Sequence, residues 1–292
     1  MKDLSFVIIN YNDSDTTKKL IDNIKDYKVL KEIVIVDNNS TDDSVKKLKK
    51  ITNKKITLLV NDENKGYSSG MNFGAKYLLE KYKDINIIFS NSDIIIKSEQ
   101  DLKTLNSRIN DDVVLVGPTV NEHGNINRGW RLSTPFKESL YNIPYFHKKL
   151  KKRFLYYGDE YYKEDISYVD VVSGCFFLIN GDFLKKINYF DDNVFLYYEE
   201  NILASKIKKE NKKVIIDNTI EIIHDHSVTI DKSIKRVNKY KVLKKSQRYY
   251  VINYLKANTF MKILLCITRN IGLLGIKLSN IFRGGKKWKE LF

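Results

Sequence analysis

A few well-separated acidic and imidazole side chains are the residues of this sequence best suited to chemistry. Asp93 follows an apolar run and closes the triplet Asn91-Ser92-Asp93. A carboxylate at a strand end can hold Mg²⁺ or Mn²⁺, and such an ion commonly takes substrate phosphates as further ligands. His224 ends another apolar run and is a candidate ligand of the same ion, with His226 as the alternative. These residue types predict a metal site that stabilises a departing diphosphate, although a turn aspartate and a packed histidine would look similar.

Two adjacent glutamates, Glu199 and Glu200, lie in the first turn of a helix predicted over Tyr197–Lys208. The helix dipole favours carboxylates in a first turn and tends to keep them ionised. An ionised carboxylate beside a sugar hydroxyl can take its proton during attack, so one of the pair is a candidate general base. Adjacent helical residues point about 100° apart, so we expect only one of them to face a cleft. Acidic first turns also occur in helices without any catalytic role.

The elements that must position these residues alternate between strands and helices. β-branched runs predict strands at Leu4–Ile9, Glu32–Val36, Ile56–Val60 and Ile85–Phe89. Amphipathic patterns between them predict helices at Thr16–Tyr27, Asp42–Ile51 and Ser68–Tyr82. The alternation predicts an α/β fold with a mainly parallel sheet flanked by helices, in which ligands bind beyond the carboxyl ends of the strands.

Polar and small residues follow four successive strands of this predicted sheet. Those that we expect to contact a ligand are Asn10, Tyr11, Asn12, Asp37, Asn39, Asn64, Gly66, Gly70, Asn72, Asn91 and Ser92. The Asp37 carboxylate could accept the imide N–H of uracil or thymine. Glycines at the start of the third helix would let the backbone approach a phosphate. Ordinary turns and helix N-caps are the alternative explanation for each residue taken singly.

The rest of the chain changes character twice. Residues 121–165 are aromatic and basic with weak periodicity, which predicts long loops with some helix, and further strands are predicted at Tyr168–Asn180, Lys213–Ile216 and Ile220–Ile223. We therefore predict a catalytic domain over residues 1–230, with its two halves meeting near residue 118. A basic, amphipathic helical extension follows over residues 231–292.

The 292-residue chain carries a formal net charge of +15, which attracts the phosphates of nucleotides, nucleic acid or anionic lipid without choosing among them. In the extension, Arg269 and Lys277 interrupt the apolar stretches, so no uninterrupted run reaches the length of a membrane span. Cations among apolar residues, with Trp288 near the end, predict a helix lying on an anionic membrane surface. A helix packed on the catalytic domain is the alternative.

The compartment is predicted from the cysteines and the N-terminus. Cys175 and Cys266 lie far apart in apolar contexts, which indicates buried, reduced thiols rather than a disulfide framework. The first apolar stretch is too short for a signal peptide. These features predict a cytoplasmic protein, and the basic amphipathic extension predicts that it is peripheral at the inner face of the cell membrane.

Several segments form a recognisable pattern in one order along the chain. They are Val7–Asn12, Ile35–Asp42, Asn64–Tyr67, Asn91–Asp93, Val172–Ile179, Phe190–Glu200 and Gln247–Tyr250. The pattern resembles glycosyltransferase family 2, and within it the bacterial rhamnosyltransferases and galactofuranosyltransferases of surface-polysaccharide synthesis. The resemblance covers nearly the whole chain.

This resemblance implies a GT-A (Rossmann-like) fold, a UDP- or dTDP-linked sugar donor, Mn²⁺ or Mg²⁺, and inversion at the anomeric carbon. It places the catalytic base at Glu200, preceded by Glu199. It places the metal ligands at Asp93 and His224, and it assigns recognition of the nucleobase to Asp37. It also implies transfer of rhamnose, galactofuranose or a hexose to a saccharide acceptor, which we expect to be lipid-linked, in capsule, O-antigen or cell-wall synthesis. We expect Trp130, Arg131 and Gly174 to contact the acceptor.

The sequence departs from the family pattern at three places. The metal motif begins with Asn91 and so has one carboxylate, glutamate replaces the usual aspartate at Glu200, and Ile202 stands where the family often has an acid. A nucleotide-sugar-binding scaffold with weak catalysis is therefore an alternative function. Nucleic-acid binding is a further alternative, but no binding motif is recognisable and acidic strand ends would repel a phosphate backbone. A homodimer formed through the helical tail is left open.

Overall fold

The carboxyl ends of the first strands lie along one edge of a single sheet in the computed structural model, which describes residues 2–144, 147–225 and 236–282. Ten strands form this sheet within those residues. They are β1 Asp3–Asn10, β2 Leu30–Asp37, β3 Ile56–Val60, β4 Ile85–Ser90, β5 Ile94–Ile95, β6 Val113–Glu122, β7 Asn125–Asn127, β8 Ile166–Val169, β9 Phe176–Asn180 and β10 Lys213–His224. The mixed α/β architecture predicted from the sequence is confirmed.

The strand order places the polar strand ends side by side. The order is β3-β2-β1-β4-β9-β6-β10-β5, with β7 paired to β6 and β8 paired to β10. Strands β3, β2, β1 and β4 are parallel, and in register Asn10 lies opposite Asp37 while Asp37 lies opposite Val60. Strand β9 is antiparallel to both of its neighbours, and β10 runs parallel to β6. The loops that follow β1, β2, β3, β4, β6 and β10 therefore open at the same edge, whereas β9 runs the other way.

Helices cover both faces of the sheet and continue into the C-terminal extension. They are α1 Ser14–Ile24, α2 Ser44–Lys49, α3 Tyr67–Lys81, α4 Glu99–Ser107, α5 Pro135–Leu140, α6 His147–Phe154, α7 Gly181–Lys186, α8 Glu199–Lys209, α9 Arg236–Asn253 and α10 Thr259–Phe282, with a 3₁₀ turn at Asp159–Tyr162. The two faces have separate apolar cores because side chains alternate along a strand. On β1, Phe6 and Ile8 enter one core and Val7 enters the other.

Two predicted strand boundaries differ from the structure. The strand pattern over Tyr168–Asn180 divides into β8 and β9, because the segment between them leaves the sheet. The strands predicted at Lys213–Ile216 and Ile220–Ile223 form one strand, β10, whose register with β6 shifts between Asp217 and Glu221. The buried Asp217 carboxylate accepts a 2.7 Å hydrogen bond from Arg108 Nε at this shift.

The extension packs on the catalytic region through one side of each helix. Tyr250 and Val251 of α9 join Ile202 of α8 in a small apolar core. Ile202 is therefore a packing residue here. On α10, Leu265 and Ile276 are buried, whereas Cys266 is exposed, so the prediction of two buried thiols is correct only for Cys175.

Helix α10 also bears on the prediction about membrane spans. Its segment Thr259–Lys277 is long and apolar enough to cross a membrane by length and composition, although Arg269 lies within it, and 22% of its most apolar window is buried in the protein. The sequence prediction concerned only uninterrupted apolar runs, and this segment reaches the length of a span because Lys262 and Arg269 are tolerated within it. His226, the predicted boundary near residue 230 and the cationic tail with Trp288 lie outside the described residues, and the division into domains stays a prediction.

Candidate functional site

The first part of the candidate site is a hydrogen-bonded corner where β1 and β2 end. Asn10 Nδ2 donates to Asp37 Oδ2 at 2.7 Å, and its Oδ1 accepts from Thr17 Oγ1 at 2.7 Å. Ser40 donates to Asp37 twice, through its backbone N–H at 2.8 Å and its hydroxyl at 2.7 Å. Asp37 is fully buried, so its carboxylate holds this corner together. Recognition of the nucleobase by Asp37 stays a prediction, and a nucleobase would have to share the carboxylate oxygens that these hydrogen bonds already engage.

Exposed residues surround this corner and offer polar groups to a ligand. Asn12 and Asn39 adopt left-handed backbone conformations, with φ of 53° and 61°. Asn12 N–H donates to Ser40 Oγ at 2.8 Å, and Asn39 Nδ2 donates to the Asp62 carbonyl at 3.0 Å. Tyr11 is half-buried beside them. Short polar side chains tolerate this conformation, which explains the asparagines where the chain turns sharply.

The start of α3 is held against the rest of the site by close backbone packing. Asn64 Oδ1 accepts from the Gly66 N–H at 3.0 Å, and Gly66 has a φ of 102°. A Cβ at Gly66 would lie 2.0 Å from the carbonyl oxygen of Phe195, and one at Gly70 would lie 2.7 Å from the Asn38 side chain. Only glycine fits these positions.

Asn72 is turned toward the interior rather than toward the cleft. Its side chain makes two hydrogen bonds to the backbone of Phe190, at 3.0 and 2.9 Å. These bonds attach α3 to the segment that leads into α8. The predicted contacts of Gly70 and Asn72 with a nucleotide sugar are therefore indirect in this geometry, through the shape of the loop that they hold.

The predicted metal ligands Asp93 and His224 are brought together by β5 and β10. His224 pairs with Ile94 in the antiparallel ladder, and Asp225 N–H donates to the Asp93 carbonyl at 2.9 Å. His224 Nε2 consequently lies 3.2 Å from Asp93 Oδ1. On the other side of the ring, His224 Nδ1 lies 3.1 Å from Glu122 Oε1, at the end of β6. Glu122 was not predicted from the sequence, although it ends an apolar strand as the other candidates do.

The charges around His224 favour its protonated form. Burial would lower the pKa of His224, but the contacts with Asp93, Cys175 and Glu122 outweigh it and raise the pKa to about 12. A ring that donates Nδ1–H to Glu122 would keep its Nε2 lone pair directed at Asp93, once the Nε2 proton is released. Glu122 therefore orients the ring and fixes which nitrogen is available to a metal.

The donor set fits a divalent cation that completes its shell with substrate oxygens. Asp93 Oδ1 is buried, and its polar neighbour is His224 Nε2 at 3.2 Å, whose proton a bound cation would replace. Two ligands at right angles on a Mg²⁺-sized ion would lie about 3 Å apart, close to the observed 3.2 Å. In the described part of the chain, no three His, Cys, Asp or Glu side chains form a metal cage. Two protein ligands suit an ion whose other ligands are water and diphosphate.

The start of α8 is set by an unusual turn. Tyr197 and Tyr198 are consecutive residues with φ of 72° and 71°, a left-handed conformation that costs non-glycine residues roughly 1–3 kcal/mol each. Tyr198 is held there by a 2.6 Å hydrogen bond from its hydroxyl to Glu138 Oε2. The turn reverses the chain so that α8 begins with Glu199 and Glu200.

The two glutamates differ in their surroundings. Burial raises the pKa of Glu200, while backbone N–H groups of Glu200 and Gly174 oppose the shift by bonding its ionised form. Burial, together with the neighbouring Glu200 charge, raises the pKa of Glu199 well above its ordinary value, and Glu199 Oε2 has no hydrogen-bond partner. Glu199 is the partner that holds the proton. The expectation that the helix dipole keeps both carboxylates ionised is therefore wrong for Glu199, because burial dominates.

Gly174 supports Glu200 from the opposite wall. A Cβ at this position would lie 2.5 Å from Glu200 Oε1, so a larger residue would displace the carboxylate. A small cavity of about 10 Å³ lies beside both glutamates, lined also by Tyr67, Val172 and Leu203. Gly174 contacts the candidate base directly, and its predicted acceptor contact stays a prediction.

The separate parts converge around Tyr67. Its hydroxyl donates to the Gly174 carbonyl at 3.3 Å, and its N–H donates to the Phe195 carbonyl at 3.0 Å. Burial raises the pKa of Tyr67 well above its ordinary value, and the charges of Cys175, Glu199, Glu200 and Asp93 raise it further. Asn91 N–H donates to the Cys175 carbonyl at 2.8 Å, with Ser92 half-buried next to it. Asp93, His224 and the two glutamates thus meet on one side of the molecule.

Trp130 and Arg131 approach this region from the segment after β7. Trp130 exchanges backbone hydrogen bonds with Val171, three residues before Gly174. Arg131 is turned inward, because it donates to the Tyr156 carbonyl at 2.6 Å and stacks over Tyr157 at 3.9 Å. Trp130 is half-buried near the cleft, and both acceptor roles stay predictions.

Comparison with known proteins adds independent information. Residues 5–187 match a family model described as glycosyl transferase family 2. The chain is 23% identical over 231 residues to the low-salt glycan biosynthesis hexosyltransferase Agl10 of Haloferax volcanii. The matched region spans 78% of this chain and 69% of that protein.

Solved structures show the same fold at low sequence identity. The mannosyltransferase PcManGT of Pyrobaculum calidifontis, in complex with GDP-Man and Mn²⁺, superposes with a TM-score of 0.59 at 13% identity, covering 96% of this chain and 76% of that one. S. aureus TarS 1–349 in complex with UDP-GlcNAc superposes with a TM-score of 0.57 at 15% identity, covering 99% and 77%. At these identities the likeness concerns the fold.

Proposed function

Since this chain belongs to glycosyltransferase family 2 and has the GT-A fold, we propose that it transfers a sugar from a nucleoside-diphosphate donor to a saccharide hydroxyl, with inversion. The observation that carries the proposal is the meeting of the Asp93–His224 pair with Glu200 around Tyr67. A pair suited to a metal-bound diphosphate then lies on the same side as a carboxylate suited to an acceptor.

Each part of the site has one task in the proposed reaction. Asp93 and His224 would hold Mn²⁺ or Mg²⁺, which supplies positive charge to the leaving diphosphate when bound. Glu122 orients His224. Glu200 takes the proton of the acceptor hydroxyl as its oxygen bonds to the anomeric carbon, and the bond from that carbon to the diphosphate oxygen breaks. Attack on the face opposite the leaving group inverts the anomeric centre.

The finer identity of the substrates is part of the proposal. The Haloferax volcanii relative, a glycan biosynthesis hexosyltransferase, supports a hexose, galactofuranose included, ahead of the deoxyhexose rhamnose. We propose a UDP- or dTDP-linked donor, because Asp37 ends β2 at this sheet edge and its carboxylate is of the type that accepts an imide N–H. A lipid-linked acceptor in surface-polysaccharide synthesis at the cytoplasmic membrane face fits the basic, amphipathic extension.

The weak-catalysis scaffold has less support than the enzyme. Ile202, one of the departures behind it, packs at 1% exposure into the core with Tyr250 and so does not face the acceptor. The single carboxylate of the metal motif is complemented by His224 at 3.2 Å.

A donor screen tests the proposed function. We expect one UDP- or dTDP-hexose, in the presence of Mn²⁺, to raise the melting temperature, and slow hydrolysis of that donor to require the metal. Mass spectrometry with candidate acceptors would then show a mass gain of one sugar. Donor binding without turnover across a broad acceptor panel would contradict the enzyme and favour the scaffold. Tight, salt-sensitive binding of duplex or single-stranded nucleic acid would contradict both.

The membrane-facing surface is proposed to be an apolar stripe along α10. Its members, each at least 45% exposed, are Phe260, Ile263, Ile267, Ile271 and Leu274. They recur every three or four residues and so share one face, while Leu265, Thr268 and Ile276 pack inward on another. Exposed Lys277 borders the stripe, and such a cation is attracted to anionic headgroups. This arrangement favours a helix lying in the membrane surface over one that crosses it.

The double substitution of Ile263 and Ile267 by serine is expected to weaken co-sedimentation with phosphatidylglycerol vesicles about 10-fold or more. Burying an isoleucine side chain contributes roughly 1.5–3 kcal/mol, and both residues are more than half exposed. Ile126→Ser, at an exposed position on β7, is the matched control and should bind as the native protein does. Unchanged sedimentation of the double variant would exclude this stripe as the membrane contact.

A further inference from the structure

Beneath the two C-terminal helices, three basic side chains lie together where α5, α6, α9 and α10 meet. Lys244 of α9 is only 6% exposed. Lys151 of α6 and Arg269 of α10 are half-buried, and the charges of both act on Lys244. We call these three residues the cation cluster. None of them has a role in the transfer reaction proposed above.

The cation cluster lacks a counter-charge within the described residues. Lys244 Nζ donates to the side-chain oxygen of Asn142, which is a neutral amide. Arg269 Nε is buried and has no hydrogen-bond acceptor. Among residues 2–144, 147–225 and 236–282, no carboxylate comes within 4.0 Å of any of the three cations.

The carboxylate whose charge acts on Lys151 and Lys244 is Glu138, and it is already engaged elsewhere. Its Oε2 accepts a 2.6 Å hydrogen bond from the Tyr198 hydroxyl and a 3.0 Å bond from Gln247 Nε2. Tyr198 directly precedes Glu199, the first residue of α8. Glu138 therefore lies between the cation cluster and the start of α8. The negative charge of Glu138 favours the protonated forms of Lys151 and Lys244, but one carboxylate leaves the three cations with an excess of positive charge.

Holding cations in this way is energetically costly without an anion. The penalty for burying one ion is several kcal/mol unless a partner compensates it. Burial lowers the pKa of Lys244 to about 7, and the charges of Lys151 and Arg269 contribute to the shift. Burial also lowers the pKa of the adjacent His147, to about 4, so this ring adds no charge near neutral pH. An anion with several acceptor oxygens would relieve the repulsion and satisfy Arg269.

We propose that the cation cluster of Lys151, Lys244 and Arg269 binds a phosphate or diphosphate group. Lys151 and Arg269, being half-buried, leave a side from which an anion can approach. Arg269 lies roughly 160° around α10 from the apolar stripe, on the side that packs inward with Leu265 and Ile276, so the cluster faces away from the stripe and a phosphate would reach it past the edge of the helix. Identifying this group as the diphosphate of a lipid-linked acceptor rests on the proposed function, whereas binding of the anion does not.

Pyrophosphate binding in EDTA tests the site separately from metal-dependent donor binding. We expect inorganic pyrophosphate to raise the melting temperature of the full chain by a few degrees. Lys244→Met and Arg269→Gln should each weaken this binding at least 10-fold. Lys241→Met on the exposed side of α9 and Lys262→Gln on the exposed side of α10 are matched controls and should bind normally. Asp93→Asn should also bind normally, which excludes the transfer site as the source.

Two further measurements decide between a bound anion and a structural role. Lys244→Met without pyrophosphate should melt at the native temperature or above it, because an uncompensated buried cation has been removed. A clear loss of stability would overturn the proposal by showing that the lysine is a structural donor to Asn142. Unchanged pyrophosphate binding in both cluster variants, or no binding by the native chain, would also overturn it.

A comparison of ligands identifies the source of the phosphate. Tighter binding of geranyl diphosphate than of pyrophosphate would support a lipid-linked acceptor, and equal binding would support a free phosphate or diphosphate. Metal-dependent donor hydrolysis is measured on the same preparations. If the native chain binds pyrophosphate but hydrolyses no donor, the result would count against the proposed function without contradicting the anion site.

Discussion

Glu200→Gln is expected to lower kcat for sugar transfer about 10²–10⁴-fold while leaving donor binding intact. The amide has the shape of the carboxylate but cannot take the acceptor proton. Because burial raises the pKa of Glu200, native activity should fall with decreasing pH at a higher pH than an ordinary glutamate would cause, as the base becomes protonated. This acidic limb should be absent from the residual activity of the variant. Single-turnover rates and a pH profile measured with the identified donor and acceptor check both expectations.

Glu199→Gln provides the informative comparison. Glu199 holds its proton because burial raises its pKa well above the ordinary value, so glutamine resembles its native, neutral state. We expect this variant to stay within a few-fold of native activity. Glu210→Gln, at the residue that caps the far end of α8, controls for loss of a negative charge next to the same helix. A Glu199 variant that is inactive beside an active Glu200 variant would reverse the assignment of the base.

The sheet edge was predictable from the sequence because local patterns determine it. The β-branched runs of β1 to β4 predict strands, and the polar residues after them mark where the strands end. In parallel pairing those ends must align, so Asn10 and Asp37 could be placed together without coordinates. Helix boundaries were less accurate: α1 begins at Ser14 and ends at Ile24, whereas amphipathicity predicted Thr16–Tyr27.

Contacts that depend on tertiary packing could not be predicted. Asp93 meets His224 through β5, a strand of two residues that has too little periodicity to detect. Glu122 ends β6, but only the pairing of β6 with β10 brings it to the imidazole. The charge states of the glutamates at the start of α8 were predicted from the helix dipole, which contributes about 0.3–1 kcal/mol. Burial of a carboxylate costs several kcal/mol, so it determines the state of Glu199.

Asp93→Asn is expected to reduce metal-dependent transfer about 10²–10³-fold and to weaken Mn²⁺ binding. A metal ion contributes several kcal/mol to stabilising the leaving group, and each 1.4 kcal/mol corresponds to a factor of 10 in rate. The amide removes the charge that would attract the ion while keeping the shape of the side chain. Titration of Mn²⁺ by electron paramagnetic resonance, alongside transfer rates, measures the two effects.

Asp225→Asn is the matched control, because Asp225 is adjacent to His224 in sequence and its exposed carboxylate is directed toward His123. Its N–H supports Asp93 through the backbone and is unaffected by the substitution. The proton on His224 provides a second test, the dependence of Mn²⁺ affinity on pH. A protonated ring cannot be a ligand, so metal binding must release this proton, and the apparent Mn²⁺ affinity of the native protein should rise with pH. Native Mn²⁺ affinity in the Asp93 variant, with the same dependence on pH, would show that the ion is held elsewhere and that Asp93 and His224 form only an ion pair.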